Sequence, residues 1–264
     1  MTNNTLLKDI KQFVKSSPKE FCDFGDICYL TLSGSRAYKT SNKDSDYDIR
    51  GIFVPSLRQI FPFDDPKLNI FGFDSPTQLK TIQETHLNLD LQIHSIAHYL
   101  ALCAKASPNV IESLFVDKAN VIYTTDVGDY LRRNRKMFLT KDLAKTFLAM
   151  GDSHFDKAMN IEDKVKEEDK FRKLVCTQTR CYDNAWQIVS SGELKLNHIS
   201  ELLQYTRYKA KVSDLLKCMS LIDEEKRVIL RHMEVNQREL ADCVDKNKVR
   251  AVLLKAIHVA HNQM

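Results

Sequence analysis

The sequence predicts an α+β domain followed by an all-α helical domain, and the distribution of helix-breaking residues is the main reason. All six prolines lie within the first 108 residues, and only Gly151 and Gly192 follow Gly128. The second half therefore lacks the residues that interrupt helices. The first half combines short strand-forming runs with helical segments, a pattern typical of a mixed sheet with helices packed on it. We predict domain limits of 1–135 and 136–264.

The predicted elements follow from periodicity along the chain. An amphipathic helix is predicted over 6–14, and strands are predicted at 27–32, 47–54, 68–73, 79–84 and 87–93. Two short helices are predicted next, at 95–105 and 109–115. In the second half the predicted helices cover 140–160, 167–191, 197–219 and 222–262. Gly192 serves as a predicted helix stop and Asn197 as a predicted N-cap.

Composition excludes several classes of protein. With 264 residues and 43% hydrophobic content, the chain can close a core and is not disordered as a whole. Its apolar runs fall far short of the roughly 20 residues of a membrane span, and its first residues are polar. Seven scattered cysteines form no C-x-x-C pair, as expected for reduced thiols. We therefore expect a cytoplasmic protein without a membrane partner.

The charge of the chain is unevenly distributed. The net charge is +4, and residues 1–135 hold 16 Lys and Arg against 16 Asp and Glu. The excess lies in residues 136–264, with 23 basic against 19 acidic side chains. A mildly basic second half could meet a polyanion. A solvated helical surface is the alternative, and charge alone favours it.

One segment of the first half carries residues suited to phosphate and metal chemistry. Gly34 and Ser35 follow a predicted strand, and a glycine without a Cβ lets backbone amides approach phosphate oxygens closely. Asp46 and Asp48 have i, i+2 spacing, so both carboxylates point to the same face of a strand. Paired carboxylates repel each other unless a cation lies between them, and their oxygens suit Mg²⁺. For either motif alone, a turn that caps backbone amides is the alternative.

In-line attack on a phosphorus atom with two metals calls for a third carboxylate. Residues 86–94 alternate regularly, with leucine and isoleucine predicted inward and Asn, Asp, Gln and His outward. Asp90 is the acid on the outward face, so we predict that it completes the site. Asp74 and Glu84 are the alternatives.

These motifs resemble the minimal nucleotidyltransferases of the DNA polymerase beta superfamily, which carry Gly-Ser, then Asp-x-Asp about ten residues later, then a third acid on a later strand. More narrowly, Gly-Ser-Arg-Ala-Tyr at 34–38 and Ser-Asp-Tyr-Asp-Ile-Arg-Gly-Ile-Phe-Val at 45–54 resemble the predicted nucleotidyltransferase branch linked to RNA repair. Segments 90–92, 107–115 and 173–192 resemble later parts of that branch, so the resemblance covers most of the chain. Lys39 departs from the pattern, since members usually have Gly there.

The resemblance implies the fold, the chemistry and the site. It implies a nucleotidyltransferase-type mixed sheet, and transfer of a nucleoside monophosphate from an NTP, with ATP expected, to a hydroxyl with release of pyrophosphate. Two Mg²⁺ ions, with Mn²⁺ as a substitute, would be held by the catalytic acids Asp46, Asp48 and Asp90. The implied nucleotide-binding residues are Gly34, Ser35, Arg36, Ser45, Lys173 and Arg180.

The acceptor of the transferred group is less defined. The branch resemblance and the mildly basic second half favour an RNA end, of a tRNA or a cleaved RNA. A protein hydroxyl is the alternative among enzymes, as in antitoxin-type members that modify a partner protein. A non-catalytic module that binds nucleotide or RNA is the alternative outside enzymes. Unneeded clustered acids would be costly to keep, which argues against that module.

Overall fold

The structure is a computed structural model that describes residues 25–41, 45–56, 77–84, 87–235 and 239–261. The predicted helix over 6–14, the predicted strand over 68–73 and the alternative acid Asp74 lie outside the described residues. The chain forms two compact units, residues 1–136 with 245–264, and residues 137–244.

The first unit contains a mixed β-sheet. Its strands are β1 (Gly25–Leu32), β2 (Tyr47–Pro55), β3 (Thr77–Glu84), β4 (Leu87–Ser95) and β5 (Val121–Thr124). Within the described residues the strand order is β3-β4-β2-β1-β5. β2 and β4 are parallel neighbours, whereas the β1–β2, β1–β5 and β3–β4 pairs are antiparallel. The sheet order makes β2 and β4, which carry the predicted acids, direct neighbours.

Five α-helices belong to the first unit, counted over its described residues. They are α1 (Gly34–Ala37), α2 (Ile96–Ala104), α3 (Pro108–Phe115), α4 (Asp126–Asn134) and, from the C-terminal segment, α9 (Lys246–His261). The Ser95 hydroxyl caps α2 by accepting a hydrogen bond from the His98 amide at 3.3 Å. Apolar side chains of the strands, among them Tyr29, Ile49 and Leu91, are fully buried. A mixed sheet flanked by helices confirms the predicted α+β class.

The described residues of the second unit form helices and connecting segments. The helices are α5 (Lys141–Met159), α6 (Glu168–Ser191), α7 (Glu201–Tyr208) and α8 (Val212–Val235). α6 ends as predicted at Gly192, which has a φ of 66°. The predicted all-α second part of the chain is confirmed. No helix in the described part of the chain has both the length and the apolar character of a membrane span.

Several predicted boundaries in the second half were wrong. The predicted helix over 197–219 is divided, because α7 ends at Tyr208 and α8 begins at Val212. The predicted helix over 222–262 is also divided, because α8 ends at Val235 and α9 begins at Lys246.

The break before α9 has a local cause. The Asp245 carboxylate accepts hydrogen bonds from the Asn247 and Lys248 amides at 2.9 and 3.3 Å, so it caps a new helix. β5 and α4 were not predicted from the sequence.

The compact units differ from the predicted domains at the C-terminus. The division after residue 136 lies next to the predicted limit at 135. Residues 245–264, predicted as part of the helical domain, belong to the first unit. In that unit α9 packs on α2 and α4.

Candidate active site

The predicted phosphate turn begins where β1 ends. The Ser33 amide donates a hydrogen bond to the Asp48 carbonyl oxygen at 2.7 Å, which ties the turn to the start of β2. Gly34 has a φ of 60°, a left-handed conformation that favours glycine. A Cβ added to Gly34 would lie 1.9 Å from Oδ2 of Asp48. The Asp48 carboxylate therefore packs directly against the glycine, and no other residue fits there without displacing it.

Ser33 and Ser35 bring hydroxyl groups to the same turn. The Ser33 Oγ is buried and has no hydrogen-bond partner among the described residues, although Ser33 precedes α1. The Ser35 side chain is half-buried. Its carbonyl oxygen accepts hydrogen bonds from the Thr40 amide at 2.8 Å and from the Thr40 hydroxyl at 3.2 Å. These two hydrogen bonds close the turn. They involve the Ser35 carbonyl oxygen and not the Ser35 hydroxyl.

Lys39, the departure from the family pattern, stands in the left-handed region with a φ of 57°. A residue with a Cβ is strained in this conformation, whereas glycine adopts it freely. This backbone angle explains why a glycine is usual at the position. The chain keeps the turn in spite of the lysine, with the Lys39 amide 3.3 Å from the Arg36 carbonyl oxygen.

Arg36 binds the segment that leads into β2. Its Nη2 donates to the Ser45 carbonyl oxygen at 2.5 Å, and its Nε donates to the Asp46 carbonyl oxygen at 3.2 Å. Its guanidinium carbon also lies 3.6 Å from the centre of the Tyr47 ring, a cation–π contact. Arg36 thus holds the turn and the Asp-x-Asp segment together. A nucleotide contact by Arg36 and Ser45 stays a prediction.

The parallel register of β2 and β4 brings two of the predicted acids side by side. Asp48 is the register partner of Asp90. Arg50, two residues after Asp48 on the same face of β2, lies between them. Its Nη2 is 3.4 Å from Oδ1 of Asp48, and its Nη1 is 3.7 Å from Oδ2 of Asp90. The pair therefore has a cation between its carboxylates in this structure.

Asp46 is separate from this pair. Its side chain is exposed, and the residue lies just before the first residue of β2. No three His, Cys, Asp or Glu side chains in the described part of the chain lie close enough together to hold a metal ion. The assignment of Asp46, Asp48 and Asp90 as three metal ligands is thus a prediction. Carboxylate oxygens are the ligands that Mg²⁺ prefers, and the Asp48–Asp90 pair already accepts a positive charge, so the donor set fits this ion.

Further along β4, the face of the strand that carries Asp90 becomes buried. His94 was predicted to point outward with Asp90, but only 4% of its surface is exposed, so that part of the prediction was wrong. The rings of His94 and His98 are 5.3 Å apart, because the start of α2 covers this end of the strand. Burial, together with the charges of His98 and Arg50, lowers the pKa of His94 to about 4. His94 is therefore neutral at pH 7.

The turn is also anchored from α3. The Tyr38 hydroxyl, at the end of the Gly-Ser-Arg-Ala-Tyr motif, donates a hydrogen bond to the Glu112 carboxylate. Both residues are buried. This contact links two of the segments that carry the family resemblance. The signal in the sequence was a lone acid within an apolar helix, a position where an acid normally requires a partner.

Lys173 and Arg180, the remaining predicted nucleotide contacts, belong to the second unit. Both lie on α6, where Lys173 is exposed and Arg180 is half-buried. His154 of α5 lies close enough to Arg180 for the charge of Arg180 to change the pKa of His154. Burial lowers the pKa of His154, and the charges of Lys157 and Arg180 lower it further. The role of Lys173 and Arg180 with nucleotide stays a prediction.

Comparisons with known proteins agree with the motifs. Residues 3–248 match the RNA repair pathway DNA polymerase beta family. An uncharacterized 38.9 kDa protein of the nrdC-mobD intergenic region of Enterobacteria phage T4 is 28% identical over 117 residues, which are 44% of this chain and 33% of that protein. The matching region thus spans about a third of that curated relative.

A solved structure, that of a nucleotidyltransferase-like protein from Exiguobacterium sibiricum 255-15, is similar over 87% of this chain and 80% of the other, with a TM-score of 0.32 and 11% identity. That score is too low to carry an argument. The match to the family covers nearly the whole chain, and the enzyme class that it supports is a nucleotidyltransferase of the polymerase beta superfamily. The chain belongs to the RNA repair pathway DNA polymerase beta family.

Proposed function

We propose that the protein transfers a nucleoside monophosphate from an NTP, with ATP expected, to the hydroxyl of an RNA end and releases pyrophosphate. The observation that carries the proposal is the position of Asp48. Its carboxylate packs against Gly34 of the turn and faces Asp90 across the β2–β4 pair. A turn that can hold phosphate and two carboxylates on neighbouring strands that can hold metal ions are parts that in-line nucleotidyl transfer requires.

Each residue has a role in this proposal. Gly34 lets phosphate oxygens approach the backbone closely, and the Ser35 hydroxyl donates a hydrogen bond to them. Asp46, Asp48 and Asp90 are the proposed Mg²⁺ ligands. Bound there, Mg²⁺ or Mn²⁺ would neutralise triphosphate charge and make the acceptor hydroxyl easier to deprotonate.

The acceptor approaches from the side of Asp90. This carboxylate is the more exposed of the pair, with 56% of its side chain accessible against 29% for Asp48. Asp90 draws the proton of the acceptor hydroxyl as the new oxygen–phosphorus bond forms at the α phosphate. The bond from the α phosphorus to the bridging oxygen breaks, and pyrophosphate leaves with that oxygen.

RNA is the proposed acceptor because the family is one of RNA repair. The excess of 23 basic over 19 acidic residues in 136–264 also suits a polyanion. Lys173 and Arg180 are proposed as cationic contacts to the triphosphate or to the RNA.

A labelling experiment tests the proposed acceptor. The protein is incubated with each α-labelled NTP and Mg²⁺, with total RNA in one tube and with nuclease-treated lysate protein in another. We expect label in nuclease-sensitive material of the first tube. Label only in protease-sensitive material would mean that a protein is the acceptor. NTP binding without transfer in either tube would mean a binding module.

A further inference from the structure

We propose that Arg50 is an internal counter-cation for the Asp48–Asp90 pair and that a divalent cation must displace it to bind. Arg50 would thereby keep the affinity of the empty protein for metal ions low. The inference rests on the proposed function, because it takes Asp48 and Asp90 as the metal-binding carboxylates.

The position of Arg50 follows from strand geometry. Side chains two residues apart share a face of a strand, so Arg50 lies on the same face of β2 as Asp48. In the parallel register Asp48 pairs with Asp90, and Arg50 pairs with Gln92, two residues further along β4. The guanidinium therefore reaches diagonally to Asp90 as well as backward to Asp48.

The contacts of Arg50 are those of a cation that can leave. Its Nη2 is 3.4 Å from Asp48 and its Nη1 is 3.7 Å from Asp90. Strong charge-assisted hydrogen bonds are shorter, about 2.7 to 2.9 Å, so both contacts are loose. The Arg50 side chain is also 23% exposed. Water and ions therefore reach the Arg50 side chain.

Arg50 is the cation that contacts both carboxylates within the part of the chain that the structure describes. Two carboxylates held side by side repel each other, and a cation between them removes that cost. His94 does not share this task, since its pKa of about 4 keeps it neutral at pH 7. A guanidinium does not lose its proton in proteins, so a metal ion displaces Arg50 as a cation. The exchange of one positive group for another weakens metal binding.

Titration with Mn²⁺ in the absence of nucleotide tests the displacement. Calorimetry would compare wild type with Arg50→Gln, which removes the charge, and Arg50→Lys, which keeps it. We expect Arg50→Gln to bind Mn²⁺ about tenfold or more tightly than wild type, while Arg50→Lys keeps the weak wild-type affinity. Equal affinity in wild type and Arg50→Gln, or no binding to Arg50→Gln, would overturn the inference.

Thermal unfolding in metal-free buffer tests the counter-cation role without any metal. Arg50→Gln should lower the Tm in the wild-type background, because it leaves Asp48 and Asp90 to repel each other. The same change should lower the Tm much less in an Asp48→Asn background, where the repulsion is gone. Equal Tm losses in the two backgrounds would show that Arg50 does not compensate the pair. Circular dichroism confirms that each variant is folded.

The Asp48→Asn variant separates this inference from the proposed function. If Asp48→Asn binds Mn²⁺ as wild type does, the proposed metal site is wrong. If Asp48→Asn loses Mn²⁺ while Arg50→Gln gains no affinity, the metal site stands and the inference about Arg50 alone fails.

Discussion

At the scale of single residues, the candidate site depends most closely on Gly34. The glycine combines a left-handed backbone with the absence of a side chain where the Asp48 carboxylate packs. Gly192 has nearly the same φ, 66° against 60°, but a Cβ there would meet nothing within 4 Å. The two positions therefore separate the cost of the backbone angle from the cost of the lost contact.

We predict that Gly34→Ala is more damaging than Gly192→Ala. The backbone angle costs each variant about 1 to 2 kcal/mol of unfolding free energy. Gly34→Ala also displaces the Asp48 carboxylate, so nucleotidyl transfer should fall at least about a hundredfold. Thermal unfolding and a transfer assay measure the two effects. Equal activity in the two alanine variants would show that the Gly34–Asp48 contact is not part of the site.

At Lys39 we predict a substitution that stabilises the protein. Lys39→Gly relieves the strain of a left-handed φ but adds freedom to the unfolded chain, for a net gain of about 0.5 to 1 kcal/mol. Lys39→Ala is the matched control, because it removes the same charge and keeps the strain. Denaturant unfolding should show a stabilised Lys39→Gly and an unchanged or less stable Lys39→Ala. Equal stability of both variants would mean that the angle carries no strain.

The sequence was sufficient to single out Gly34, Asp48 and Asp90 as candidates, since each belongs to a local motif or a regular alternation, and their role in catalysis stays a prediction. It could not show what Arg50 does. That role depends on the parallel register of β2 and β4, which joins residues distant in the chain. The Tyr38–Glu112 bond likewise connects positions 38 and 112 through packing that no local pattern specifies.

At the scale of elements, the helices of the second unit carry two acids whose charged forms are disfavoured by burial. Burial raises the pKa of Asp183 on α6 to about 6, and that of Glu225 on α8 to about 7. The value for Glu225 includes a smaller contribution from the charge of Asp183. The Ser200 hydroxyl donates to Asp183 at 2.6 Å, which partly offsets the effect of burial on that carboxyl. Both acids therefore bind protons more readily in the folded protein than in the unfolded chain.

This difference predicts how stability depends on pH. Where the folded state binds more protons, the free energy of unfolding falls as pH rises, here from about pH 4 to pH 7. Glu225→Gln cannot ionise, so it should raise the Tm at pH 8 by roughly 2 °C or more and have little effect at pH 4. Glu234→Gln, an exposed neighbour on α8, should change neither value. A Tm gain of Glu225→Gln that is the same at both pH values would contradict the ionisation argument.

The helix boundaries show where local patterns were insufficient. Long periodic runs predicted α5 and α6 within a few residues. The run over 222–262 was predicted as one helix because it contains no glycine or proline. Asp245, an N-cap residue type inside that run, was the missed signal. The carbonyl oxygens of Ala241 and Asp242 accept hydrogen bonds from the first amides of α5, a tertiary contact that periodicity does not reveal.

At the scale of the whole molecule, the order of sheet and helices was predictable and the assignment of the last helix was not. Strand runs confined to the first half and helix-compatible composition beyond it specify an α+β part followed by an all-α part. The return of α9 to the first unit requires knowledge of its packing partners, α2 and α4. A helical pattern is the same whichever unit a helix joins.

The central claim is that the site at Asp48 and Asp90 transfers a nucleotidyl group, and one comparison of labels tests it most directly. The protein is incubated with Mg²⁺, an RNA with a free hydroxyl end, and ATP labelled at either the α or the γ phosphate. We predict that the α label enters RNA and the γ label leaves as pyrophosphate. Asp48→Asn, folded by circular dichroism, should lose at least about a hundredfold in rate, since a metal ion contributes several kcal/mol to such a reaction. Entry of the γ label into RNA, or near-wild-type transfer by Asp48→Asn, would contradict the account.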